Sequence, residues 1–198
     1  MAPQRPADGG AGSGNDRGRR VSRRRQPDAF GRSAGAKFFI PTKDEWYKAA
    51  YHDKTAGLAA SYFDFPTATN SVPGNDVTET TNPGNNANYF INDYAIGSPY
   101  YRTIVGEFEL SASPYGTFDQ GGNLWEWNEN APTSSSRSVS GGDFVYTPVN
   151  HLRASPSYNF NPNIKGFNYG FRVASIPEPS SLLLAALTAA GLLLRRRR

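Results

Sequence analysis

No cysteine occurs among the 198 residues, and only two histidines and one methionine do. The first absence excludes disulfides, thiolate zinc sites and any cysteine nucleophile, while leaving the compartment open. Two histidines, His52 and His151, are too few for a three-histidine metal site. No Gly-x-Ser-x-Gly turn is present, so a hydrolase triad of the elbow type lacks its nucleophile. Long apolar periodic runs are missing between residues 34 and 177. That stretch is rich in Tyr, Phe, Asn, Gly and Pro, which suits a loop-rich fold with aromatic packing better than a helix bundle.

What is present is unevenly distributed. Residues 1–33 hold eight arginines against three aspartates, and the chain ends in four arginines. Residues 34–177 hold nine basic and thirteen acidic side chains, a net of −4. The pI near 9.4 therefore belongs to the ends. It does not describe a nucleic-acid-binding face, and no nucleic-acid partner is expected. The first 33 residues read as a disordered basic segment, dominated by Gly, Arg, Pro and Asp. Arg19-Arg20 and Arg23-Arg24-Arg25 are open to two readings, a tether to nucleic acid or anionic lipid, or a solvated tail, of which the tail is favoured.

The body, residues 34–175, has clear punctuation. Phe38-Phe39-Ile40 reads as a strand; Thr42 with Glu45 three positions later is a capping box. A helix is expected from there to about His52, with Trp46, Ala49 and Ala50 on one face. Residues 53–86 carry Pro73-Gly74-Asn75-Asp76 and Asn82-Pro83-Gly84-Asn85-Asn86, the chemistry of a long surface excursion. Further strands are expected over Thr103–Phe108, Ser138–Phe144 and Asn168–Ala174. His52 and His151 are both expected at the surface.

At the centre stands Tyr115-Gly116-Thr117-Phe118-Asp119-Gln120-Gly121-Gly122-Asn123-Leu124-Trp125-Glu126-Trp127. Trp125 and Trp127 alternate with Glu126, so a strand should bury its aromatic face and turn the carboxylate to the other. Asp119 and Glu126 flank bare glycine carbonyls, a donor set suited to a hard cation such as Ca²⁺. Spacing alone favours the plainer reading, in which Asp119 caps a turn and Glu126 is solvated.

This stretch resembles the signature of the formylglycine-generating enzyme, or sulfatase-modifying factor, family. Phe39-Ile40-Pro41-Thr42-Lys43-Asp44-Glu45-Trp46, Ala87-Asn88-Tyr89, Val139-Ser140-Gly141-Gly142-Asp143-Phe144 and Gly170-Phe171-Arg172-Val173-Ala174 follow in the family's order. The resemblance implies an α+β, loop-rich, C-type-lectin-like domain. It also implies a structural Ca²⁺ on the side chains of Asp119 and Glu126 with the carbonyls of Gly122 and Leu124. A second calcium site would draw on Asn88 and Tyr89, with Asp93 near the place of a partner carboxylate. Trp125 would border the family's groove; its own pattern equally suits core packing. Because the segment before the Ile-Pro-Thr motif does not resemble the family's first half, a truncated domain or a shifted reading frame is expected there.

Active members use a cysteine pair to bind copper and oxidise a substrate cysteine with oxygen. The matching stretch here, from Asp143 to Arg153, has no cysteine. Copper is therefore not expected, since Cu(I) goes to soft thiolates, and formylglycine generation is excluded. The resulting expectation is a non-catalytic exported or cell-surface binding protein, with a peptide or carbohydrate ligand. The alternative is an enzyme or pseudo-enzyme acting in sulfatase maturation, or an unknown oxidation on the same scaffold.

Residues 176–198 differ in kind. Pro177-Glu178-Pro179 precedes an apolar stretch, 181–194, and four terminal arginines. About 14 residues of helix make ~21 Å at 1.5 Å per residue, short of a ~30 Å hydrocarbon core. The layout resembles the PEP-CTERM sorting signal, read by an exosortase in the inner membrane of Gram-negative bacteria. It implies a C-terminal hydrophobic helix in the inner membrane before processing, and a body then at the cell surface or outside. Such a route needs an N-terminal secretion signal, which the first residues do not resemble.

Overall fold

The computed structural model describes residues 32–57, 61–145 and 148–176. Regular structure is sparse: one helix, six short strands and one 3-10 turn among the described residues. The expectations over residues 1–31, for the sorting motif Pro177-Glu178-Pro179 and for the apolar segment 181–194 lie outside them.

Strand β1 (Phe38–Phe39) leads through Pro41 into α1 (Lys43–Tyr51). The Thr42 side chain accepts from the Glu45 amide, and the Glu45 carboxylate accepts from the Thr42 amide at 2.8 Å. The box satisfies donors that the first helical turn cannot. Trp46, Ala50 and Tyr51 are the helix's buried face. His52 ends the helix, its Nδ1 3.0 Å from the Tyr115 hydroxyl.

The larger sheet has the order β4-β3-β2-β5: β2 is Trp125–Trp127, β3 Arg137–Ser140, β4 Tyr158–Phe160 and β5 Tyr169–Gly170. Pairing is antiparallel except between β2 and β5, where Trp125 faces Tyr169 and Glu126 faces Gly170. A separate two-stranded sheet pairs β1 with β6 (Ala174–Ser175), Phe38 opposite Ser175.

Several expectations are corrected. Thr103–Phe108 forms no strand, and Ile104 and Val105 are exposed. Its backbone bonds side chains instead of a ladder: Asn123 accepts from the Thr103 amide and donates back to the Thr103 carbonyl, and Asp119 accepts from the Gly106 amide. The strand expected through Phe144 stops at Ser140 because Gly141 and Gly142 take φ of +93° and +75°, outside any ladder. The final strand splits into β5 and β6, with Arg172 drawn out of line toward Glu126.

Residues 53–86 are no mere surface excursion. Phe65 is fully buried and packs with Ala87, Tyr89 and Leu152; Glu79, Asn85 and Asn86 are buried as well. The turn residues that suggested a solvent loop supply side-chain amides that satisfy the loop's own backbone. Asn85 donates to the carbonyls of Ser71 and Val72, and Asn86 to that of Asn82. Such side-chain-to-backbone bonds let irregular chain be buried without orphaned groups.

Candidate functional site

Three segments of the chain meet at Glu126. Its Oε2 accepts from the Trp46 indole of α1 at 2.5 Å and from Arg172 Nε at 2.5 Å, while Oε1 accepts from Arg172 Nη2 at 2.5 Å. This is a two-pronged guanidinium–carboxylate pair, the strong form of the interaction. Arg172 Nη2 reaches further, donating to the carbonyls of Phe118 and Asp119, both at 3.3 Å. The arginine therefore ties the sheet to the turn that carries Asp119. Only a quarter of its side chain is exposed, and 12% of that of Glu126. The alternation of Trp125, Glu126 and Trp127 places them as expected in a strand, but Glu126 is a partly buried hub rather than a solvated acid.

Asp119 sits in the left-handed region at φ +56°, a conformation that Asp tolerates better than most residues. Its Oδ2 accepts from the Gly106 amide at 2.5 Å; its Oδ1 is buried with no partner. Burial raises its pKa above the ordinary carboxylate value, against the opposing pull of the Gly106 amide and of Arg172. Asp119, Leu124, Glu126 and Arg172 line one cavity of about 320 Å³, together with Phe118 and Phe171.

Gly122 lies at φ +73°, and a Cβ there would collide with the Asn88 carbonyl. That approach is built in: Asn88 and Gly122 form a parallel bridge, and the Asn123 amide donates to the Asn88 carbonyl at 2.7 Å. The two sets of residues expected around separate ions are thus neighbours. The Asn88 amide donates to Tyr101 and Asn123, leaving Asn88 Oδ1 buried and unpartnered. The Tyr89 carbonyl is taken by Asn75, whose amide also bonds the Asp93 carbonyl. No carboxylate joins Asn88 and Tyr89 in these bonds. Among the described residues no group of three or more His, Cys, Asp and Glu converges.

The donor chemistry can be tested against the implied metals. Copper does not fit, because no thiolate exists in the chain. A hard cation fits the first site better: Asp119 Oδ1 is an orphaned carboxylate oxygen beside a cavity that Glu126 also lines. Such an ion would share Glu126 with Arg172, which a carboxylate with about four lone-pair sites permits. The Asn88–Tyr89 pair fits less well, since one of its two oxygens is already bonded.

Trp125 is enclosed, 4% exposed, with rings of His151, Tyr158 and Phe160 around it. His151, expected at the surface, is half-buried in this aromatic group, and burial pulls its pKa below the usual histidine value. Asp143 is buried, accepting from the Val145 amide and the Asn168 side chain. The stretch matching the family's cysteines thus holds a structural acid and a ring-packed imidazole.

A second, larger cavity of about 480 Å³ lies beside β1, lined by Phe38, Phe39, Ile40, Trp127 and Phe171, with Arg32 and Arg137 among its charged walls. Sequence reading did not single it out. Its residues come from distant positions with no shared pattern, and the 72% exposure of Phe38 is set by the fold.

Comparison with known proteins agrees with this architecture. Residues 20–176 match the model of the sulfatase-modifying factor enzyme 1-like domain. The chain belongs to that family. The match begins within the basic stretch 1–33, upstream of the boundary expected at residue 34. Residues 175–198 match the PEP-CTERM protein-sorting motif, which implies processing by an exosortase and marks a membrane-sorted or cell-surface protein. No curated protein matches the chain. Among solved structures, variable protein 1 of Treponema denticola aligns at 21% identity and a TM-score of 0.44, covering 71% of this chain and 48% of the other. A protein named CarF aligns at 20% identity and 0.44, with the same coverage of each chain. The sulfatase-modifying factor chain thus spans about half the length of either structure. Its described part is a loop-rich domain with one short helix and small sheets, as the family match leads one to expect.

Proposed function

We propose that this protein is a non-catalytic, exported binding module on a sulfatase-modifying factor scaffold of C-type-lectin-like type. One observation carries the reading: the chain has no cysteine, and the oxidation to which the family resemblance points needs a thiolate pair. What remains is a scaffold with concave, aromatic surfaces. The groove at Phe38, Trp127 and Phe171, with Arg32 and Arg137 beside it, combines flat apolar area with hydrogen-bond donors. Rigid aromatic area and directed polar groups suit recognition of a peptide or a carbohydrate. In this reading a Ca²⁺ ion on Asp119 and Glu126, with the Gly122 and Leu124 carbonyls, supplies positive charge to an acid that is otherwise half-satisfied. Its role is structural.

Two assays test this. Incubating the full chain with a cysteine-containing sulfatase peptide and copper should give no aldehyde by mass spectrometry; turnover would overturn the non-catalytic reading. Screening peptide and glycan arrays should give hits that weaken on Phe171→Ser, and arrays blank for both classes would overturn the binding reading.

A further inference from the structure

Antiparallel strands alternate residues whose backbone groups face the partner with residues whose groups face away. In the β1–β6 pair the Ile176 amide donates to the Lys37 carbonyl at 3.2 Å, and Phe38 stands opposite Ser175. The ladder bonds therefore fall to Lys37 and Phe39, and the N–H and C=O of Phe38 both point away from β6. Neither group bonds another segment among the described residues, where β1 has β6 as its one neighbour.

That open edge looks into the groove. Side chains of a strand alternate between its faces, so a cavity on one face would meet every second residue. This one is lined by Phe38, Phe39 and Ile40 in succession. Trp127, Asn128 and Glu129 form the opposite bank, and the Glu129 amide donates to the Pro41 carbonyl at 3.0 Å, closing one end. Phe38 is 72% exposed and Phe171 63%. An open edge beside exposed apolar area is where another chain adds as a strand.

The polar walls are one-sided. Arg32 Nε and Asn128 Nδ2 are buried without an acceptor, whereas no residue lining the groove has a buried acceptor lacking a donor. Arg32 Nη2 is already paired with Glu45, which leaves Nε as the donor in want of a partner. The charged lining is Arg32 and Arg137 against Glu129. A ligand that brings acceptors and negative charge complements such walls.

We propose that the groove takes an extended peptide segment of apolar and acidic residues, which adds to the outer edge of β1 as a third strand. Phe38 gives its main chain one donor and one acceptor, Ile40, Trp127 and Phe171 flank its apolar residue, and the arginine side meets its carboxylate. This names the ligand class and binding mode of the groove, and it rests on the reading of that groove as a binding surface.

The probe is a fluorescein-labelled peptide with blocked ends, valine-phenylalanine-valine between two aspartates, titrated into the full chain and followed by anisotropy. Saturable binding is expected. Methylating the peptide's amide nitrogens one at a time should weaken binding about tenfold at alternate positions and little between them, because a strand presents every second amide to one edge. Replacing both aspartates by lysines should abolish binding. Phe38→Pro should weaken it more than Phe38→Ala. Both lose the ring, only proline loses the outward N–H, and an edge strand tolerates proline at such a position. Hydrogen exchange over 37–40 in the unaltered chain, slowed by the peptide, gives a readout that needs no variant. Absence of saturable binding, a methylation profile without alternation, unslowed exchange, or a lysine peptide bound equally well would overturn the proposal. So would a dimer in sedimentation that Phe38→Pro dissolves, which would assign the edge to a second copy. Array hits with a flat methylation profile leave the groove a binding surface and remove strand addition, whereas blank peptide and glycan arrays remove both.

Discussion

Two carboxylates, Glu79 buried and Asp119 partly so, hold two loop regions of this molecule, and they do so differently. Glu79, at φ +51°, accepts from the Gly84 amide at 3.2 Å, the Leu110 amide at 2.8 Å and the Ser111 hydroxyl at 2.6 Å. It staples the 76–86 loop to the 108–111 turn with both oxygens engaged. Asp119 has one amide partner, and its other oxygen is buried with none. The first acid is complete within its own chain. The second is held in place at a cost, because an unpartnered buried acid loses hydration without compensation. Glu79 therefore reads as architecture and Asp119 as a position that a donor from outside would improve.

The largest expected effect breaks the architectural side. Glu79→Ala takes the acceptor from one buried donor, the Ser111 hydroxyl, and from two part-buried amides, those of Gly84 and Leu110. At ~1–3 kcal/mol for a buried donor and less for the other two, a loss of about 3 kcal/mol is expected in urea unfolding. Arg172→Ala comes next. It strips Glu126 of its countercharge and frees the Asp119 turn, and about 2 kcal/mol is expected, below the ~3–5 of a fully buried pair because the arginine is partly exposed. Lysine at that position should restore little, since it cannot engage both oxygens and two carbonyls together.

Asp119→Asn should move the other way. Its carboxyl is raised above the ordinary value in the fold, so the folded state holds that proton more tightly than the unfolded chain. The resulting stability is fully present below the unfolded value near 3.8 and is lost as pH rises through the folded value. The asparagine variant lacks that loss, and with a chelator present at pH 7 it should equal or exceed the parent by up to ~1 kcal/mol. Added Ca²⁺ should raise the melting temperature of the parent, by mass action on the folded state, and leave the variant unmoved. A variant that loses stability in chelator would place Asp119 with Glu79. The smallest effect is a control away from both acids: Thr42→Ala removes the helix cap and should cost about 1 kcal/mol with no calcium dependence.

Legibility in the sequence followed the range of the interactions. The capping box at Thr42 and Glu45, the buried Trp46 and the alternation at Trp125–Trp127 depend on residues a few positions apart, and they were readable. The partnership of Glu126 with Trp46 and Arg172 spans 80 and 46 positions, and no local period encodes it. Glu79 was passed over because it sits among turn residues, where an acid is ordinarily solvated. Its burial depends on Leu110 and Ser111 arriving opposite.

By itself the sequence determined the family, through motifs that keep their order, and the lack of any thiolate ligand, through a missing element. Those follow from which atoms the chain owns. Only the tertiary structure decided which acids are satisfied, and that an apolar groove opens beside β1. Burial and partnership are properties of the assembled surface, set by contacts between residues that the chain itself keeps far apart.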